Sequence, residues 1–182
     1  MSQDEERNTP DLSAESFDST AVYASEDITE VDIDGDGEAD GMRVVRTEVR
    51  EIDVDGDGEA DIIETVQIEE TAVDVDGDGV VDVITTVETS ETEMDLTGDG
   101  RADSVEITEV RTVAYDIDGD GIPDVTRTEV IAASGIDPDE EGNLKDMEAS
   151  GVRLFGLDTT GDGVVDEVVA EPMDVEVVEE EE

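Results

Sequence analysis

The chain contains no cysteine, no histidine and no tryptophan, and only two phenylalanines and two tyrosines in 182 residues. Without thiol or imidazole, disulfides, soft-metal sites and Cys- or His-centred nucleophile and base schemes are excluded. With so few aromatics a large aromatic core cannot be built, so part of the stability must come from elsewhere. Basic residues are scarce: one lysine, Lys145, and eight arginines stand against 58 Asp and Glu, for a formal charge of −49. Such a chain repels phosphate backbones and anionic headgroups, so nucleic-acid binding is not expected and its natural partners are cations. Long apolar runs are missing as well. The longest, Val130 to Ala133, falls far short of the roughly 20 residues a membrane helix needs, so membrane insertion is not expected. The first ten residues carry Asp4, Glu5, Glu6 and Arg7 with no apolar stretch behind them, which does not encode a Sec-type signal peptide and favours an interior location.

What the chain does have is a repeat. Asp32-Ile-Asp-Gly-Asp-Gly-Glu-Ala-Asp40 recurs at Asp53, Asp74, Asp95 and Asp116, each start 21 residues after the last. A sixth copy begins at Asp158, two periods on, and the skipped slot at Asp137 keeps acids at the first, third and fifth places but has Lys145 at the ninth. Each unit is too small to bury a core alone, so neighbours must share one. The expected organisation is a flexible acidic leader over residues 1–30, a repeat domain over 31–170 with a degenerate repeat at 137–157, and a solvated acidic tail over 171–182.

Numbered from its first Asp, each loop offers side-chain oxygens at places 1, 3, 5 and 9 and glycine at 4 and 6. Alternate residues of a tight loop point inward, so Asp32, Asp34 and Asp36 can converge, with Asp40 closing the cage and the Glu38 carbonyl at place 7 adding an oxygen. The second loop supplies Asp53, Asp55, Asp57, Glu59 and Asp61, and the third Asp74, Asp76, Asp78, Val80 and Asp82. The fourth has Asp95, Thr97, Asp99, Arg101 and Asp103, and the fifth Asp116, Asp118, Asp120, Ile122 and Asp124. The sixth has Asp158, Thr160, Asp162, Val164 and Asp166. Place 7 varies freely, as a carbonyl ligand permits. Thr97 and Thr160 each remove one formal charge, so those two sites are expected to be weaker. Asp and Gly also dominate ordinary turns, but turns do not need four acids, and holding four carboxylates together costs several kcal/mol of repulsion unless a cation neutralises them or they protonate. Hard, oxygen-ligated Ca2+ is the expected ion, about six per chain; Mg2+ fits less well because it demands octahedral geometry, and a lanthanide is an acceptable substitute.

The loops resemble the Asp-x-Asp-x-Asp-Gly loops of the EF-hand, dockerin, thrombospondin type 3 and integrin-type propeller families, over about 54 of 182 residues. The resemblance implies calcium coordination by Asp32, Asp34, Asp36, Asp40 and their equivalents. An EF-hand proper needs flanking helices and a bidentate Glu at place 12, where this chain has Arg43, Glu64, Thr85, Glu106, Arg127 and Val169. Place 9 is therefore the better closing carboxylate, as in the loops joining strands of integrin-like propellers, although propeller blades are much longer than 21 residues.

The 12-residue spacers are rich in Val, Ile, Thr and Glu, which favours strand. Apolar columns recur: Val31, Ile52, Val73, Met94, Tyr115, Ile136 and Leu157 before each loop slot, Ala39 to Val165 at place 8, and Met42 to Val168 near each strand start. The fold class is all-β. An antiparallel β-meander, with successive loops on alternate edges of the sheet, is the first reading; a parallel β-solenoid is the alternative. In the fourth spacer the apolar parity slips from Val105 and Ile107 to Val110, which predicts a bulge or a solenoid corner.

The function expected is a calcium-binding structural repeat protein, a surface, matrix or filament component that folds or stiffens with the ion and self-assembles through sheet edges. A soluble calcium buffer or sensor is an alternative; a sensor should expose an apolar groove on binding, and Met42, Met94 and Met147 are too scattered to make one. An acidic interaction protein, such as a nucleic-acid mimic, is another. Six Ca2+ ions add twelve positive charges and take the formal charge from −49 only to −37, so mimicry survives loading. Catalysis is not expected, because the paired carboxylates are consumed by the loops. The acidic, lysine-poor surface also resembles proteins of salt-loving organisms, where charge is screened. Calcium-loop chemistry favours a cell-surface or extracellular location, against the missing signal.

Overall fold

Spacers and loops alternate along the chain as strands and turns. The computed structural model describes residues 19–136 and 145–175. Eight strands follow one another: β1 (Ser19–Val31), β2 (Gly41–Ile52), β3 (Ile62–Val73), β4 (Val83–Met94), β5 (Ser104–Tyr115), β6 (Val125–Ile136), β7 (Lys145–Leu157) and β8 (Glu167–Met173). They form a single sheet in the order β1-β2-β3-β4-β5-β6-β7-β8, and every neighbouring pair is antiparallel. The meander is therefore the architecture and the solenoid is excluded. The physical reason lies in the loops: each reverses the chain within nine residues, too few for the crossover a parallel neighbour requires.

The bulge expected in the fourth spacer is absent. β5 pairs with β4 and β6 residue for residue from Ser104 to Tyr115; the described register shifts lie between Ser19 and Ala21 and between Ser134 and Ile136. The parity slip has another cause: both faces of this sheet carry apolar residues, Val105 and Ile107 on one and Val110 on the other. The sheet also begins earlier than the domain reading placed it, since β1 occupies Ser19–Val31 of the leader segment, and β8 runs past residue 170 to Met173. Residues 1–18, the degenerate slot at 137–144 and 176–182 of the tail lie outside the described residues.

Strands β2 to β6 are each 12 residues long. Because that number is even, the first and last residues of a strand point to opposite faces. Val31, Val73, Val83, Tyr115, Val125 and Leu157 thus share one face along one end of the sheet, while Ile52, Ile62, Met94 and Ile136 share the other face at the opposite end. The apolar columns are two edge rows beneath the loops, not one enclosed seam. In the last unit the place-8 residue folds back onto the strand end, where a Cβ on buried Gly156, on the face opposite Leu157, would stand 2.9 Å from Val165 Cγ1. Between the rows both faces mix Thr, Val, Glu and Arg. No second layer covers either face among the described residues, and only Val73, Asp116, Gly135 and Gly156 are buried there. The shared core expected from the repeat is therefore a row of edge contacts, because one sheet has nothing to sandwich. No helix long and apolar enough to cross a membrane occurs among the described residues.

Mid-sheet, arginines tie neighbouring strands. Arg43 grips Glu69 with Nε–Oε1 and a terminal nitrogen to Oε2 both at 2.6 Å, Arg46 meets Glu26 at 2.7 Å, Arg50 meets Glu64 at 3.1 Å and Arg153 meets Glu129 at 2.7 Å, with Arg127 on the same carboxylate. The hydrogen bond from Arg43 holds the Glu69 carboxyl below its usual range, and those from Arg127 and Arg153 do the same for Glu129.

Candidate metal sites in the loops

Each loop is closed by its own acids. Asp32 accepts the Gly35 and Gly37 N–H groups at 2.7 and 3.1 Å, one on each carboxylate oxygen. The same double acceptance recurs at Asp53, Asp74, Asp95, Asp116 and Asp158. Asp34 Oδ1 accepts the Asp36 N–H at 3.0 Å and Asp36 Oδ1 the Glu38 N–H at 2.7 Å; Asp40 Oδ2 reaches back to the Ile33 N–H at 2.7 Å. The Gly at places 4 and 6 makes this wrapping feasible: Gly35 and Gly37 have φ of +77° and +93°, a region a Cβ disfavours. The acids are therefore turn-formers as well as candidate ligands, a double role the spacing alone did not separate.

The clusters differ between loops. One carboxylate oxygen from each of Asp32, Asp34 and Asp36 lies within 4.8 Å of the others, and the same holds for Asp53, Asp55 and Asp57 and for Asp74, Asp76 and Asp78. In the fifth loop the trio is Asp116, Asp118 and Asp124, the expected place-9 carboxylate joining in place of Asp120. Asp40, Asp61 and Asp82 are not part of their loops' trios, although each caps the place-2 N–H, at 2.7, 2.6 and 2.6 Å, as Asp124 does at 2.7 Å. The fourth and sixth loops assemble no such trio. There Thr97 and Thr160 donate their N–H groups to the place-1 carboxylates of Asp95 and Asp158, at 3.1 and 3.0 Å. Of the place-7 residues Glu38, Glu59, Val80, Arg101, Ile122 and Val164, each donates its N–H to the place-5 Asp, for example Glu59 to Asp57 at 2.8 Å.

Desolvation raises the Asp95 carboxyl, yet the N–H groups of Gly100, Gly98, Thr97 and Asp99 together outweigh it and leave the group below its ordinary value. Asp158 is lowered in the same way, against desolvation, by Gly163, Gly161 and Thr160. Asp166 is lowered chiefly by the Thr159 hydroxyl and N–H. Hydrogen bonding to the charged form thus favours the ionised carboxylate at these positions.

Loops at one end of the sheet also touch each other. The place-1 N–H of the third loop donates to the place-9 carbonyl of the first, Asp74 to Asp40 at 2.9 Å; Asp116 to Asp82 and Asp158 to Asp124 continue the row, both at 2.9 Å. At the other end Asp95 donates to Asp61 at 2.8 Å. Side chains follow: Val80 Cγ1 comes within 3.9 Å of a Cβ placed on Gly121, and Ile122 Cγ2 within 3.6 Å of one on Gly163. Place 7 is therefore not wholly free. In this row place 7 is Glu38, Val80, Ile122 and Val164, of which Val80 and Ile122 pack on the next loop, and at the other end it is Glu59 and Arg101. The sequence reading also passed over place 2, where Ile33, Val54, Val75, Leu96 and Ile117 stand more than half exposed at the loop tips. No family model, no curated protein and no solved structure matches this chain.

Proposed function

We propose that this chain is a calcium-binding structural repeat protein, in which Ca2+ held by the Asp/Gly loops stabilises and stiffens a coreless sheet, as a surface, matrix or filament component. The observation that carries the reading is the convergence of three carboxylates within 4.8 Å in four of the loops, at the ends of a sheet with almost nothing buried. Three close carboxylates repel unless a cation joins them, and hard oxygen ligands on a flexible loop suit Ca2+. Asp32, Asp53, Asp74 and Asp116 with their third- and fifth- or ninth-place partners are the stronger ligand sets; the fourth and sixth loops, with Thr at place 3, are the weaker. An ion that binds the folded loops and not the unfolded chain adds its binding free energy to folding.

A second reading, an acidic interaction scaffold or nucleic-acid mimic that needs no ion, draws on the backbone hydrogen bonds that each loop acid already makes. Far-UV circular dichroism in a chelator, followed through calcium titration with magnesium as control, separates the two. β-signal gained with calcium and not with magnesium supports the structural calcium reading. A folded spectrum indifferent to calcium, with no heat of binding by calorimetry, overturns it in favour of the scaffold.

A further inference from the structure

Eleven Asp-Gly pairs stand in the chain, and ten of them fall at places 3–4 and 5–6 of the loops. This dipeptide is open to one covalent change. The glycine nitrogen attacks the aspartyl Cγ, a C–N bond forms, and the N–H proton leaves with a carboxyl oxygen as water. Water then reopens the resulting succinimide at either carbonyl, which restores Asp or leaves isoaspartate, with one more methylene in the main chain. The step consumes no oxidant and no cofactor, and glycine has no side chain to hinder it. In every loop the residues at places 3 and 5 are exposed.

The turns hold the two reacting groups away from each other. In each of the ten pairs the glycine N–H is donated to the place-1 carboxylate, at 2.6 to 3.1 Å. The nitrogen is thereby directed at the place-1 Asp, whose negative charge opposes loss of the proton. The carboxyl that would be attacked is held as well: Asp36 Oδ1 accepts the Glu38 N–H at 2.7 Å. The eleventh pair, Asp40-Gly41, differs, because Gly41 opens β2 and is paired with Val31 and Val73 in the sheet.

The grip is unequal between loops. Asp32 is exposed and its bond to the Gly37 N–H is the longest of the ten, at 3.1 Å. The N–H groups of Asp74, Asp95, Asp116 and Asp158 tie their loops to an earlier one, and the first loop has no earlier neighbour. Asp116, by contrast, is only 8% exposed. Its loop is fixed on both sides, by its own N–H on Asp82 and by the Asp158 N–H on Asp124, both at 2.9 Å. Exposed, singly tied segments open more readily than buried, doubly tied ones.

We infer that the loop Asp-Gly pairs are isoaspartate-forming sites guarded by the place-1 carboxylate, that Asp36-Gly37 isomerises first, and that Asp118-Gly119 and Asp120-Gly121 isomerise last. The methylene added at Asp36 displaces its carboxylate from the Glu38 N–H and from Asp32 and Asp34, so the turn and the acid cluster of the first loop are lost together. This inference rests on the turn geometry and not on the ion reading.

The full-length chain is aged at neutral pH and physiological temperature in calcium, and in parallel in urea, then mapped by mass spectrometry with electron-transfer fragmentation, which separates Asp from isoaspartate. In urea the ten pairs are expected to isomerise at similar rates. In the folded chain Asp36 should lead, with Asp118 and Asp120 several-fold slower. Two variants of the fifth loop isolate the guard. Asp116→Asn removes the carboxylate that holds the Gly119 and Gly121 N–H groups, whereas Asp124→Asn alters the one that caps the Ile117 N–H. Each takes one carboxylate from the same trio, so an effect carried by a bound cation moves both variants alike. Asp116→Asn is expected to speed isomerisation at Asp118 and Asp120 several-fold, and Asp124→Asn to leave it near the unmodified rate. Equal acceleration in both variants, none in Asp116→Asn, or a fifth loop that isomerises as fast as the first overturns the inference. A chain that binds no calcium yet keeps this order of rates would strike the functional proposal alone.

Discussion

At the scale of single residues, the loop acids serve two purposes that the sequence merges. Asp32 accepts two backbone N–H groups while contributing an oxygen to a three-carboxylate cluster, so a change there disturbs the turn and the candidate site together. Place 3 separates the two roles better. Where it is Thr, as at Thr97, the side chain and N–H turn toward Asp95 and no cluster forms. Thr97→Asp is therefore expected to complete a trio in the fourth loop and to raise calcium affinity there roughly tenfold, since affinity follows ligand charge. Calorimetry should count one more tight site than in the unmodified chain; an unchanged count would mean that place 3 does not control the site. The loop turns were legible because Asp and Gly impose local geometry. Which acids converge was not, since Asp124 joins its cluster and Asp40, Asp61 and Asp82 do not, and that depends on torsions a spacing cannot specify.

At the scale of the strand and loop, alternation follows from arithmetic on the chain. Strands joined by reversing loops send successive 21-residue slots to opposite ends, so the sixth loop, two slots after the fifth, joins the row of the first, third and fifth, and period 21 in sequence becomes period 42 in space. Two strands of separation place neighbouring loops at one end about 9.6 Å apart, and the Asp74-to-Asp40 and Asp116-to-Asp82 backbone bonds join them. The donor of each bond is a place-1 Asp whose side chain is expected to hold an ion and the acceptor is the place-9 Asp that closes the neighbouring loop, which gives neighbouring loops a direct mechanical link. Disabling the third loop with Asp76→Asn and Asp78→Asn, which spares those backbone bonds, is expected to lower the calcium affinity of the first and fifth loops several-fold while leaving the second and fourth unmoved. The glycine amide resonances followed through a calcium titration report each loop separately. Equal effects at both ends, or none at either, would show that the bonds carry no coupling. The strands and their order were legible from β-branched spacers and tight turns, but the bulge predicted near Val110 was not there, because the parity argument presumes one buried face and this sheet has none.

At the scale of the whole molecule, a formal charge of −49 on a one-layer sheet sets like charges against one another with little burial to offset them. On the proposed reading salt and calcium act on the same quantity by different routes, salt by screening and calcium by neutralising. The urea midpoint in chelator is expected to rise steadily as NaCl is increased from about 0.05 to 1 M, and to rise less steeply once calcium is bound. A midpoint indifferent to salt would mean that self-repulsion does not limit stability. The sequence by itself determined the all-β class, the repeat and the Asp/Gly turns that close each loop, because each of these follows from residue type at short range. Only the tertiary structure decided that no second layer covers the sheet among the described residues, that β1 begins inside the expected leader, and that backbone hydrogen bonds join the loops within each row. Those outcomes depend on which backbone groups pair across tens of residues and on whether a second layer exists, and neither is encoded in the composition or spacing of a single repeat.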